Sequence, residues 1–160
     1  MRWIAIGLLI CFLAAVGLTG YLYLNANVRI TGIDCVAADA ADQPGVMEAL
    51  KAQMAAGTFV GTPFETGEIG EPSGYQFYTY TVHLENGTFM KAEAVEVQVT
   101  PMNGDVLQMP ENGMTVIPAR TAGSAQATIL TDREMHNVRE ILVTYYLWGM
   151  PFSIRTTSIR

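Results

Sequence analysis

The residues of this chain that could carry out acid–base or metal chemistry are few and scattered. The two histidines are His83 and His136, and neither lies in an HExxH motif or another metal-ligand spacing. Ser124, Asp132 and His136 supply the residue types of a hydrolytic triad, but no GxSxG motif surrounds the serine. The sequence therefore predicts no catalytic residue and no histidine-based metal site.

Carboxylates offer a second kind of chemistry, because Ca²⁺ binds through about six to eight oxygen ligands. Two groups of three carboxylates are closely spaced in the sequence. The first group is Asp34, Asp39 and Asp42, and the second is Glu65, Glu68 and Glu71. The chain has no EF-hand loop pattern, and solvated acidic loops explain the same spacing. A metal-binding ectodomain that uses these loops is the less favoured alternative.

Sulfur-containing residues form no recognisable redox or copper motif. The two cysteines are Cys11, within an apolar run, and Cys35, so we expect no disulfide between them. The nine methionines are dispersed along the chain without an MxxM cluster. The sequence therefore predicts no cofactor, and it favours a buried Cys35 over one that pairs between chains.

An uncharged apolar segment precedes all of these residues. It runs from Trp3 to Leu24, and as a helix of twenty-two residues it would extend about 33 Å. A bilayer core is about 30 Å thick, whereas the apolar part of a signal peptide has only about 7–15 residues. The exit, Leu24-Asn25-Ala26, also lacks a small residue at the first position of a cleavage site. We therefore expect residues 1–24 to be a transmembrane anchor, with a cleaved signal peptide as the alternative.

Flanking residues indicate the orientation of this segment. Arg2 precedes it, Trp3 begins it, and Tyr21 and Tyr23 lie at its other end, where aromatic residues favour the membrane interface. The predicted topology is a single pass with a cytoplasmic amino terminus. Residues 25–160 would then form one extracytoplasmic domain.

Charge restricts the partners of this domain. It contains all fifteen carboxylates and, without Arg2, eight of the nine Lys and Arg residues, so its net charge is about −7. Such a charge disfavours nucleic acid and anionic lipid headgroups as ligands. We expect partners to be the membrane, through residues 3–24, and a protein of the envelope.

One helix is predicted in this domain, at about residues 44–56. Asp42 is a candidate N-cap, Pro44 suits the first turn, and Gly57 suits the end of the helix. Between them Val46, Met47, Leu50 and Met54 recur at helical spacing. We expect this helix to pack on the core or to lie near the membrane.

The rest of the domain has a β pattern. Tyr78, Tyr80, Val82 and Leu84 alternate with polar residues, and Asn86-Gly87 then predicts a type I′ hairpin turn into the next strand. In that next strand the apolar positions change parity near Ala94, which a regular strand cannot do. We therefore predict a bulge or a break between Glu93 and Val95.

Further short apolar runs complete the pattern. They lie at residues 28–33, 106–109, 114–117, 125–130, 139–148 and 152–159. The run at 139–148 is apolar on both faces, which is typical of a central strand. Short strands with frequent turn signals predict a mainly β fold, an immunoglobulin-like β-sandwich of about seven strands with one inserted helix.

Part of the chain resembles a known group of domains. The segment from Tyr78 to Gly87, then the run Val95-Glu96-Val97-Gln98-Val99 and the turn Gly104-Asp105-Val106, are similar in layout to the FxLYD and LEA14-like immunoglobulin-like domains of bacterial and archaeal surfaces. The strand at 125–130 resembles a late strand of those domains. The resemblance implies a membrane-anchored bacterial protein with a sandwich fold, and it implies no chemistry.

Aromatic side chains provide the candidate partner site. Tyr75, Phe77, Tyr146 and Trp148 lie in strands that are apolar on more than one face, so they are either core residues or a partner-facing patch. The function predicted from the sequence is a non-enzymatic binding or assembly module anchored at the bacterial cell envelope. A subunit of a membrane transport or secretion complex is the alternative.

Overall fold

The computed structural model describes residues 2–25, 27–110 and 115–158. Two α-helices occur in these ranges, α1 (Arg2–Leu24) and α2 (Pro44–Ala55). The strands are β1 (Val28–Asp39), β2 (Thr62–Pro63), β3 (Tyr75–Asn86), β4 (Ala92–Val99), β5 (Asp105–Gln108), β6 (Thr115–Ile117), β7 (Ala122–Asp132), β8 (Glu140–Leu147) and β9 (Met150–Thr157). Short 3₁₀ turns occupy Ala40–Asp42 and Pro72–Gly74.

The strands form two antiparallel sheets. One sheet has the order β1-β3-β7-β5-β2, and the other has the order β6-β4-β8-β9. The predicted mainly β, immunoglobulin-like sandwich is confirmed, with nine strands in the described residues instead of about seven. The two-residue strand β2 accounts for part of the difference, because so short a segment has no periodicity to detect.

Strand alternation builds the core between the sheets. Tyr80, Val82 and Leu84 of β3 are fully buried, as the alternation predicts. Ile141 and Val143 of β8 lie in the same cluster. The strand β8 has a neighbour on each side, β4 and β9, which confirms its central position in its sheet.

A second apolar cluster lies on the outer face of the first sheet. Met47 and Leu50 of α2 pack there against Phe77 of β3 and Leu130 of β7. The helix begins at Pro44 and ends at Ala55, in agreement with the predicted 44–56. The predicted cap is wrong, however. The N-cap position is Gln43, and Asp42 belongs to the preceding 3₁₀ turn, which is capped by Asp39.

The predicted bulge in β4 is confirmed. Its pairing with β6 shifts between Ala92 and Val95, and its pairing with β8 shifts between Glu93 and Glu96. Ala94, at the centre of this irregularity, has a φ of 46°. The extra residue keeps Val95 and Val97 buried on the core side although the sequence parity changes.

The predicted hairpin at Asn86-Gly87 is wrong. The strands β3 and β4 belong to different sheets, so the segment between them crosses from one sheet to the other. Neither Asn86 nor Gly87 has a positive φ, which a type I′ turn requires at both positions. Instead the Asn86 side chain is buried and donates to the carbonyls of Met90, Ile117 and Pro118.

The helix α1 stands apart from the sandwich core. It spans twenty-three residues, and none of them is buried. It is the one helix in the described residues that is long and apolar enough to cross a membrane, which makes it a candidate membrane anchor or signal sequence. Only residues 25–27 separate it from β1.

Candidate functional site

A polar cleft lies on the open side of the sandwich, where each sheet ends in an edge strand. On this side the edge strand of the first sheet is β1, and the edge strand of the second sheet is β9. No strand in the described residues pairs with the outer side of either one. The cleft has a volume of about 660 Å³. Its lining residues are Ile33, Asp34, Cys35, Ala37, Tyr78, His136, Asn137 and Ser158. A free strand edge beside a cleft is a site where an extended peptide can pair.

Cys35 lies in the wall of this cleft and is half-buried, so its predicted burial is only partial. Burial raises the pKa of its thiol, against the opposing hydrogen bonds with the side chains of Asn137 and Tyr80. The thiol is therefore protonated near neutral pH. A protonated thiol is a poor nucleophile, so this environment does not favour catalysis by Cys35.

The opposite wall is the segment between β7 and β8, and side chains of β3 hold it in place. The Tyr78 hydroxyl donates to the Met135 carbonyl at 2.8 Å, and the Tyr80 hydroxyl donates to the Asn137 carbonyl at 2.9 Å. The Gln76 amide donates to the carbonyls of Arg133 and Met135 in the same segment. The backbone of this wall is thus fixed without a bound ligand.

A buried ion pair supports the same wall from below. Both Arg139 and Asp105 have no exposed side-chain surface, and the guanidinium donates to the two carboxylate oxygens at 2.9 and 2.7 Å. Arg139 also donates to the carbonyls of His136 and Val138. Burial alone would raise the pKa of Asp105, but the bonds from Arg139 and from the Met102 N–H outweigh it and lower that pKa.

The triad residue types are not brought together. Ser124 and Asp132 lie on the same strand, β7, eight residues apart, which is about 27 Å. His136 lines the cleft, whereas His83 does not line it and pairs at 2.8 Å with Asp34. In the described residues no three His, Cys, Asp or Glu side chains converge as metal ligands.

The two acidic groups are also dispersed. Asp34 pairs with His83, and Asp39 pairs with Arg133. Glu65, Glu68 and Glu71 are exposed in the segment before β3. No contact in the described residues assembles these carboxylates into a ligand set.

The four candidate patch residues divide between the two sheets. Phe77 is buried against α2, and Tyr75 is half-buried in the same cluster. Tyr146 is 42% exposed, and Trp148 is half-buried beside the central core at the end of β8. The four side chains therefore form no single surface, and Tyr146 is the one exposed member of the four.

Arg139 and Asn137 are the important residues that the sequence did not reveal. Arg139 lies at the start of the most apolar run of the domain, where it resembles an ordinary polar residue before a strand. A charged residue so close to a buried strand is the one sequence feature that could have indicated a buried ion pair at Arg139. Its partner Asp105 is thirty-four residues away, and no local pattern links the two.

Comparison with known proteins identifies no family. No family model matches the chain, and no curated protein matches its sequence. The resemblance to the FxLYD and LEA14-like domains therefore stays a prediction. Solved structures of similar shape do exist.

Three of them illustrate the likeness. The GAE domain of yeast GGA1 is 10% identical, with a TM-score of 0.38 over 56% of this chain and 93% of that one. The cupredoxin domain of amoB from Nitrosocaldus yellowstonii is 12% identical, with a TM-score of 0.35 over 82% of this chain and 85% of that one. A FixG-related protein from Vibrio parahaemolyticus is 14% identical, with a TM-score of 0.33 over 52% of this chain and 78% of that one. This likeness is limited to a β-sandwich-like fold.

Proposed function

We propose that this chain is a single-pass membrane protein of the bacterial cell envelope, whose extracytoplasmic sandwich is a non-enzymatic binding module. The support for the anchor is the surface of α1. Its large apolar side chains are exposed, with Trp3 at 84% and Leu24 at 84%. A helix that buries none of its apolar surface in the protein is stable only in an apolar environment.

The cleft beside β1 is the binding site in this proposal, and its occupant is an extended segment of an envelope protein. The carrying observation is that β1, a strand of twelve residues, has an outer edge with which no described strand pairs, next to a cleft whose opposite wall is already fixed. An added strand would pair with the backbone of β1, and its side chains would enter the cleft.

The natural thiol in the cleft provides a test. In a Cys11→Ser variant, Cys35 is the single cysteine of the chain. We expect Cys35 to react with a maleimide more slowly in native membranes, where the partner is present, than in the purified full-length chain. Equal rates in the two preparations would show that nothing occupies the cleft.

An exposed position away from the cleft provides the control. Ala52 is exposed on α2 and does not line the cleft. A cysteine placed there by Ala52→Cys, with Cys11 and Cys35 both replaced by serine, should react equally fast in both preparations. A photo-crosslinking residue at Ala37, which lines the cleft, then identifies the segment that protects Cys35.

A further inference from the structure

A cluster of three aromatic residues and one methionine lies at the end of the sandwich nearest to α1. We call this set the membrane-proximal aromatic surface, and it consists of Phe89, Met90, Tyr146 and Trp148. Three of its members are substantially exposed, Phe89 by 52%, Tyr146 by 42% and Met90 by 37%. Exposed apolar residues that gather at one end of a domain mark an interaction surface.

Contacts connect this surface to the last turn of α1. The ring of Tyr23 lies 5.5 Å from that of Phe152, measured between centroids, and Phe152 lies 6.3 Å from Trp148. Trp148 in turn lies 6.3 Å from Phe89. The Gly87 N–H also donates to the Asn27 carbonyl, which fixes the segment before Phe89 to the start of the domain. The surface therefore lies within a few side chains of the end of α1.

The backbone at Trp148 indicates that this side chain has a role besides forming the turn. Trp148 and Gly149 connect the paired residues Leu147 and Met150, with φ values of 53° and 75°. Asn and Gly suit the first position of such a two-residue turn, and a bulky residue at positive φ is an outlier. The Trp148 Nε1 is also buried with no hydrogen-bond partner in the described residues.

Charge differs between the two ends of the sandwich. The end near α1 has three cations, Arg29, Lys91 and Arg120, and two carboxylates, Glu85 and Glu93. Apart from the buried pair of Arg139 and Asp105, the far end has three cations, Lys51, Arg133 and Arg155. It has nine carboxylates, Asp39, Asp42, Glu48, Glu65, Glu68, Glu71, Asp132, Glu134 and Glu140. The net charge of the domain, which disfavours a lipid surface, therefore belongs to the far end.

We propose that the membrane-proximal aromatic surface lies in the headgroup interface of the bilayer that holds α1. This inference rests on the proposed membrane anchor. Aromatic side chains favour this interface, and the exposed Tyr146 ring can enter it with its hydroxyl near water. The contact between Tyr23 and Phe152 holds the surface at that depth, so the sandwich is oriented on the membrane and is not free to tumble.

Tryptophan fluorescence tests the depth of this surface directly, because Trp3 and Trp148 are the two tryptophans of the chain. The full-length Trp3→Phe variant, which reports on Trp148, is reconstituted in phosphatidylcholine vesicles with bromine either close to the headgroup or close to the end of the acyl chain. We expect a loss of Trp148 fluorescence that is greater with the shallow bromine. No loss with either lipid would overturn the proposal.

Two further variants separate the possible causes of failure. The Trp148→Phe variant reports on Trp3, so an unquenched Trp3 would show that α1 is not inserted and would refute the anchor instead. Quenching of Trp3 together with an unquenched Trp148 would refute only the interfacial surface. As a matched control, Met102→Trp in a Trp3→Phe/Trp148→Phe background places the fluorophore at an exposed site on the far end, and it should not be quenched.

Discussion

The two ends of the sandwich are closed by different means. At the far end the buried pair of Arg139 and Asp105 and the hydroxyls of Tyr78 and Tyr80 satisfy the backbone between β7 and β8. At the end near α1 the closing group is one neutral amide, that of Asn86, beside aromatic rings that are partly exposed. The far end is therefore a fixed polar wall, whereas the near end presents apolar surface.

Backbone strain follows the same division. The non-glycine residues with positive φ in the described part of the chain are Ala94, Arg120 and Trp148, and all three lie toward the end near α1. At the far end positive φ occurs at Gly57 and Gly104, where glycine adopts it without steric cost. The comparison teaches that the far end is arranged for stability, while the near end accepts unfavourable backbone to present particular side chains.

The largest expected effect comes from breaking the far-end ion pair. Arg139→Met leaves the Asp105 carboxylate buried without its partner, and we expect a loss of about 3–5 kcal/mol in the free energy of unfolding. Urea unfolding of the full-length chain in non-ionic detergent, followed by near-UV circular dichroism, measures this change. The double variant Asp105→Asn/Arg139→Met removes both charges and should recover part of the loss. Strictly additive losses would contradict the proposed pairing.

A smaller loss is expected from the amide at the near end. Asn86→Ala removes three donated and two accepted hydrogen bonds and leaves buried carbonyls unsatisfied, so we expect a loss of about 3 kcal/mol. Asn103→Ala is the matched control, since Asn103 also precedes a glycine but is exposed. Its effect should be below about 0.5 kcal/mol. Equal effects at the two positions would mean that Asn86 does not close the near end.

Acid should weaken the far end less than the Arg139 substitution does, because a protonated Asp105 can still share hydrogen bonds. The pKa of Asp105 is lowered in the folded state, so the unfolded chain takes up the proton first as the pH falls. The contribution of Asp105 to the free energy of unfolding is fully present above about pH 4, and it is lost as the pH falls through the pKa of Asp105 in the folded state. Urea unfolding from pH 7 down to pH 3 should show a steeper loss for the wild-type chain than for Asp105→Asn.

The smallest effect tests the strain at the near end. Ala94→Gly relieves the positive φ at the bulge, and we expect the free energy of unfolding to rise by about 0.5 kcal/mol. Ala37→Gly, at an exposed position of the regular strand β1, should lower it by about 0.5–1 kcal/mol. A rise in the free energy of unfolding for Ala94→Gly together with a fall for Ala37→Gly would show that the bulge is strained. A loss at both positions would show that the bulge stores no strain.

Local patterns predicted a large part of this fold from the sequence. The change of parity near Ala94 predicted the bulge, because the alternation of a strand depends only on neighbouring residues. The apolar spacing from Val46 to Met54 predicted α2 for the same reason. The anchor candidate at Trp3–Leu24 needed only length and composition.

Features that depend on distant partners were missed or misread. Asn86-Gly87 suggested a hairpin, although β3 and β4 belong to different sheets, and a dipeptide cannot indicate which strands pair. Asp105 and Arg139 meet across thirty-four residues of sequence. The cleft also joins residues of β1 to Ser158 near the end of the chain. Sites of this kind arise from tertiary packing, which single-sequence periodicity does not describe.

The location of the domain is the central claim, and external proteolysis tests it most directly. One sample of cells that produce the full-length chain with a carboxyl-terminal tag is fractionated. In a second, unfractionated sample, a non-penetrating protease is added after the outer barrier has been opened. We predict that the tag is found in the membrane fraction on a chain that retains residues 1–24, and that the protease removes it. A tag released in soluble form without those residues, or one protected from the protease, would contradict the account.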